Sequence, residues 1–228
     1  MPISPATLSF LFENRLHNSR DWFSAHHAAY IRDVITPLME LVSQLSPTML
    51  TIDPHLTTEP RVDRTISRIW RDTRYSRDKT FYRDHMWIIF KRGAMHGTHV
   101  PGLYFELNQD GFAYGSGFYH ASSAFMAQMR DFILSKNPEA MRALYAYEKQ
   151  HVFLVEGECY KKPRYPNEPD NVRLWLERKE ICFTAHSNDF SLLFSDHLAK
   201  ELCKHFTLLA PVYRFLLHTA QTLALEQN

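Results

Sequence analysis

Five permanent cations, Arg68, Arg71, Arg74, Arg77 and Lys79, fall within twelve residues of the stretch ISRIWRDTRYSRDKTFYRDH, which runs from Ile66 to His85. A guanidinium offers a planar fork of N–H donors that matches phosphate or carboxylate oxygens, and it stays charged at any physiological pH. Cations this close repel one another. They are tolerated on a solvated surface, or when Asp72, Asp78 and Asp84 counter-charge them, or when an anionic ligand sits among them. In the functional reading Arg68, Arg71, Arg74 and Lys79 hold a small anion, a phosphorylated metabolite or nucleotide. Asp72 and Asp78 brace the arginines, Tyr75 or Tyr82 donates or stacks, and Ser76 and Thr80 add neutral donors. In the structural reading the same charges form an ion-pair lattice that locks an irregular loop, at little net gain in stability.

A second basic knot, YKKPRYP from Tyr160 to Pro166, again sets cations beside tyrosines, and Pro163, Pro166 and Pro169 stiffen it into an extended loop. Folded against the first cluster, Lys161, Lys162 and Arg164 complete one electropositive pocket; otherwise they are ordinary loop charges. Fixed cations stabilising developing negative charge are the only catalytic device on view. A buried Glu13, Glu106 or Asp72 with a raised pKa would be needed for general-base work.

Other chemistries find less support. The thirteen histidines include His26, His27, His96, His99 and His120, but none stands in HxxxH or HExxH spacing, so no metal or cofactor is expected. There is no GxSxG elbow, phosphate-binding glycine loop or GxGxxG. The glycines of GSGF at Gly115 to Phe118 lie inside an apparent strand and mark a bulge or a close backbone approach. Cys159, Cys182 and Cys203 form no CxxC pair, which fits buried free thiols rather than a disulfide scaffold.

Net charge is +1, unlike a globally basic nucleic-acid binder, yet residues 61 to 92 carry ten Lys or Arg against four Asp while the remainder is net −5. Cations interleaved with aromatics also suit single strands or structured RNA, so nucleic acid is the second candidate partner. A scaffold or interaction protein is the third candidate. No stretch nears eighteen apolar residues, and MPISPATLSFLFENRLH lacks the layout of a leader, so the expectation is a cytoplasmic protein without a membrane span.

The elements follow from periodicity. Ser4 and Pro5 open a first helix with Leu8, Leu11, Phe12 and Leu16 at helical spacing. Asn18 or Ser19 caps a second that carries an apolar stripe to Leu45, bent or restarted near Pro37. SPTMLTIDPHLTTEP reads as irregular connection. From Arg61 to Arg71 the arginines fall on one side of a helical wheel, which leans to a helix. HMWIIFK, GLYFELN and GFAYGSGFY follow as strands, the last two joined by NQDG in a hairpin. Helices are expected from Ser122 to Ser135 and, with Asn137 as cap and Pro138 first, to about Gln150. HVFLVEGECY and EICFTAH read as strands, and SLLFSDHLAKELCKHF and APVYRFLLHTAQTLALEQ as two closing helices. The sum is α+β, a mainly antiparallel sheet with helices before and after it, in one compact domain spanning 1–228.

With these residues on view, the chain resembles a family of mostly bacterial conserved hypothetical proteins, grouped as a domain of unknown function. The resemblance rests on NSRDWF (Asn18 to Phe23), the charged stretch itself, GSGFY and KKPRYPNEPDN, in the family's order across nearly the whole chain. Phe81 stands where the family commonly has proline, Asp84 where a threonine-like residue is expected, and Trp70 in place of a smaller aromatic. The resemblance implies one folded unit and carries no established activity.

Overall fold

The computed structural model describes residues 3–226; Met1 and Pro2, part of the expected leader-free start, and Gln227, at the end of the last expected helix, lie outside the described residues. The chain is α+β, with a five-stranded antiparallel sheet and helices before and after it. It divides into two compact units that are discontinuous in sequence. The first is Met1–Phe90, Tyr104–Ala113 and His186–Cys203; the second is Lys91–Leu103, Tyr114–Ala185 and Lys204–Asn228. The strands β1 (Met86–Lys91), β2 (Gly102–Asn108), β3 (Gly111–Gly117), β4 (Leu154–Glu156) and β5 (Cys182–Ser187) pair in the order β1-β2-β3-β5-β4.

The first unit opens with α1 (Pro5–His17), entered through extended Ser4 and Pro5 as expected. Its buried face differs from the expected stripe: Thr7, Leu8, Phe10, Leu11 and Asn14 are buried, whereas Phe12 and Leu16 are exposed. Ser19 caps α2 (Arg20–Ala25), its hydroxyl accepting the Trp22 N–H at 3.3 Å. Next come α3 (His27–Tyr30), one π-helical turn (Ile31–Ile35) and α4 (Thr36–Ile52). The bend expected near Pro37 takes this π form. In a regular helix the Pro37 nitrogen would serve the Asp33 carbonyl, but proline has no N–H. The buried Thr7 hydroxyl of α1 donates to that carbonyl instead, at 2.6 Å. The expected irregular stretch after Ser46 is corrected: α4 runs through Pro47 to Ile52, because Leu45, Met49 and Ile52 continue its buried stripe.

The expected helix from Arg61 is also corrected. Residues 65–67 pair antiparallel with β1, with Ser67 N–H on the Trp87 carbonyl at 2.9 Å and Ile89 N–H on the Thr65 carbonyl at 2.8 Å. Burying Thr65, Ile66, Ser67 and Ile69 while Arg64 and Arg68 face solvent satisfies backbone groups that β1 would otherwise leave open. This long-range pairing outweighs the helical spacing. The β2–β3 hairpin forms as expected, with the Asn108 side chain accepting Asp110 and Gly111 N–H at 2.8 and 3.2 Å. Gly111 has φ 145°, and a Cβ there would strike the Ser187 carbonyl oxygen.

The second unit builds its core from α5 (Ser123–Leu134), α6 (Pro138–Glu148), α7 (Asp170–Leu176) and most of α9 (Leu198–Glu226); the short α8 (Phe190–Leu193) belongs to the first. Asn137 caps α6 as expected, accepting the Glu139 N–H at 2.9 Å. Fully buried Trp175 packs on Phe183 at 4.6 Å and on Phe215 at 6.2 Å between ring centroids. Helix α7 lies in the stretch between the last two expected strands, to which the sequence pattern assigned no element. The first expected closing pattern starts in α8, and its remainder from Leu198 fuses with the second into α9, which passes through Pro211 because Phe206, Leu209, Val212, Tyr213 and Leu216 bury one continuous face. A Cβ on Gly115 would land on the Phe183 carbonyl oxygen, so the expected close backbone approach at GSGF is observed.

Candidate functional site

Trp70 and Tyr82 face each other as an antiparallel bridge, closed by Arg71 N–H on the Phe81 carbonyl and Arg83 N–H on Ile69, both at 2.8 Å. Between them residues 71–81 form a loop on a rigid neck. Tyr82 is fully buried, its ring against Trp70 at 4.4 Å and Phe23 at 5.1 Å, its hydroxyl donating to the Ser19 carbonyl at 3.4 Å. The ligand-facing role expected of Tyr82 is therefore corrected: the ring is spent on the core.

The loop's inner side is a single charged node. Asp78 Oδ2 receives Arg71 Nη1 and, at 3.1 Å, Arg15 Nη2 from α1, while Oδ1 receives the Thr80 N–H at 2.9 Å and hydroxyl at 2.8 Å. Thr80 in turn accepts from both arginines, and Arg15 also reaches the Tyr82 carbonyl at 2.9 Å. The Thr80 N–H first, then Arg71, the Thr80 hydroxyl and Arg15, hold the Asp78 carboxyl far below the usual carboxylate range. Asn18, left-handed at the end of α1, accepts the Phe81 N–H at 2.7 Å, and the Arg20 guanidinium lies 5.1 Å over the Phe81 ring. NSRDWF and the charged stretch thus meet.

The outer side is open. Arg74 grips Asp72 through Nε and Nη2, the latter at 2.7 Å, which pulls the Asp72 pKa down to about 2. That depressed carboxyl suits no general base, and Glu13 is exposed rather than buried. Tyr75 is 95% exposed, with the Arg74 guanidinium 5.9 Å from its ring centre. Lys79 Nζ donates to the Thr73 carbonyl at 2.8 Å, Arg77 is exposed and makes no ion pair among the described residues, and Ser76 is half-buried. Arg68 stands apart on the extended arm, paired with Asp63. Arg68, Arg71 and Arg74 are thus each engaged by a carboxylate.

Lys161, Lys162 and Arg164 belong to the second unit and are exposed. Their loop is pinned by Glu177, which accepts Arg164 N–H at 2.9 Å and Tyr165 N–H at 2.7 Å. Desolvation works against the Glu177 charge, but these bonds and the nearby Arg173 and Arg164 leave its pKa below the usual value. Among the described residues no three His, Cys, Asp or Glu side chains gather as a metal would require. Cys159 and Cys182 are free thiols, and Cys159 is exposed rather than buried. No helix among the described residues is long and apolar enough to cross a membrane.

Arg15 and Asn18 are the members of this site to which the charged motif gave no role. Arg15 did leave a trace: it lies four and seven residues beyond buried Leu11 and Leu8, where a cation interrupts the apolar face of α1. No curated protein and no solved structure matches the chain. A family model does match, over residues 6–215. The chain belongs to that family, the conserved hypothetical proteins of DUF2461.

Proposed function

We propose that the protein binds a phosphate-bearing ligand on the outer face of the 71–81 loop, and that the arginine–aspartate node around Arg71 holds the loop rather than the ligand. The observation that carries this is the division of the motif into two faces. Arg15, Arg71 and Asp78 satisfy one another on the inner face, while Tyr75, Arg77 and Lys79 are presented to solvent beside Arg74. Exposed cations retain donors for phosphate oxygens, and a bare tyrosine ring offers a stacking surface for a base. The neck and the node fix the loop beforehand, which lowers the entropic cost of binding. Because this face is open and carries several cations, a single-stranded oligonucleotide fits it better than one small anion. The test is binding of a fluorescent oligonucleotide and of a mononucleotide to the parent and to Y75A/R77A/K79A. Loss of about 1 kcal/mol or more per removed contact, with an unchanged melting temperature, is expected. Equal binding by parent and variant, or no binding of either ligand, refutes the reading.

A further inference from the structure

We infer that the second unit carries a separate phosphate site, built on Tyr160 by Arg130, Lys161, Lys162 and Arg164. Arg130 of α5 is 7% exposed and has no carboxylate partner among the described residues. Its Nε donates to the Leu176 carbonyl at 2.9 Å, and its Nη2 to the Tyr160 hydroxyl at 3.0 Å and to the Arg178 carbonyl, leaving Nη1 without a hydrogen bond among the described residues. Carbonyls orient a buried guanidinium but do not neutralise it, and a buried charge is costly until an opposite charge approaches.

The surroundings repeat that imbalance. Tyr160, fixed by Arg130 through its hydroxyl, carries the Arg164 guanidinium 3.6 Å over its ring. Lys161 and Lys162 follow it on the same loop, exposed and without an ion pair among the described residues. Three of the nearby carboxylates already have partners, Glu158 in Lys179, Asp170 in Arg173 at 2.9 Å and Glu177 in the Arg164 and Tyr165 N–H groups, while Glu168 on the same loop makes no ion pair among the described residues. Glu177 and Pro163 hold the loop in shape, so the cations are displayed on a fixed frame. A phosphate, with three free oxygens and up to two charges, can take more of these neighbouring donors at once than a carboxylate can. This inference stands apart from the reading of the 71–81 loop.

The test is calorimetric titration of the full chain with inorganic phosphate and with phenyl phosphate at low ionic strength. Four proteins are compared: the parent, K161Q/K162Q/R164Q, R130K and Y75A/R77A/K79A. The first variant alters only exposed side chains, so it remains informative if R130K does not fold. About tenfold weaker binding in K161Q/K162Q/R164Q, with affinity kept in Y75A/R77A/K79A, is expected. Undiminished affinity in K161Q/K162Q/R164Q, or no binding by the parent, overturns the site. Loss confined to Y75A/R77A/K79A also overturns it, and leaves the loop reading in place.

Discussion

At φ 46°, Asn18 holds the left-handed region that ends α1, and its side chain also takes the Phe81 N–H at 2.7 Å. The two roles separate by substitution. Glycine keeps the backbone at little cost but removes the acceptor; alanine removes the acceptor and adds left-handed strain of about 1 kcal/mol. N18A is therefore expected to unfold at lower denaturant than N18G, by about 1 kcal/mol in the extrapolated stability. Both should exchange the Phe81 amide hydrogen faster than the parent. Equal stability of the two variants would mean that strain at this position is not felt. The sequence showed Asn18 as a capping candidate because asparagine beside serine has that local chemistry. Its hold on Phe81, 63 residues away, left no local trace. The same limit applies to Tyr82: aromatic identity is visible in a sequence, but which face of a loop it takes depends on Phe23 and Trp70.

The loop of residues 71–81 behaves as an element of its own, and its stability is tied to pH through Asp78. A carboxyl whose pKa is lower in the folded than in the unfolded chain contributes stability that is complete above the unfolded value, about 3.9. That contribution disappears as pH falls through the folded value. Asp78 is displaced in this direction by the Thr80 N–H, Arg71 and Arg15. The parent should therefore melt above D78N at neutral pH, and the gap should narrow steadily as the pH is lowered from about 5 towards 2. Melting curves of both proteins across that range check this, and a constant gap would remove Asp78 from the lock. Elements whose signals are local were legible. Alternation and an Asp-Gly turn marked β1, β2 and β3, and Asn137-Pro138 marked α6. Elements decided by distant partners were not. The arm at 65–67 has helical spacing but pairs with β1, and α4 and α9 carry prolines that their buried faces tolerate.

Over the whole molecule, charge is nearly balanced, yet ten of the 26 Lys and Arg lie between residues 61 and 92. Such a chain exerts little long-range pull on a polyanion, and exposed charges are screened beyond about 8 Å at physiological salt. Binding by the 71–81 loop must then come from a few direct contacts, and salt dependence counts them. Each phosphate neutralised on a single strand contributes a slope of about −0.7 to log K against log salt. With Arg77 and Lys79 outside any ion pair among the described residues, a slope near −1.4 is expected. That corresponds to about sevenfold weaker oligonucleotide binding at 200 mM than at 50 mM salt. R77A/K79A should bind weakly with almost no salt dependence, while R71A, which strips the inner node, should keep the slope and lose thermal stability. Anisotropy titrations across that salt range separate the cases. A steep slope that survives R77A/K79A would place the phosphates on other cations, and a flat slope in the parent would show that stacking on Tyr75, not charge, holds the strand.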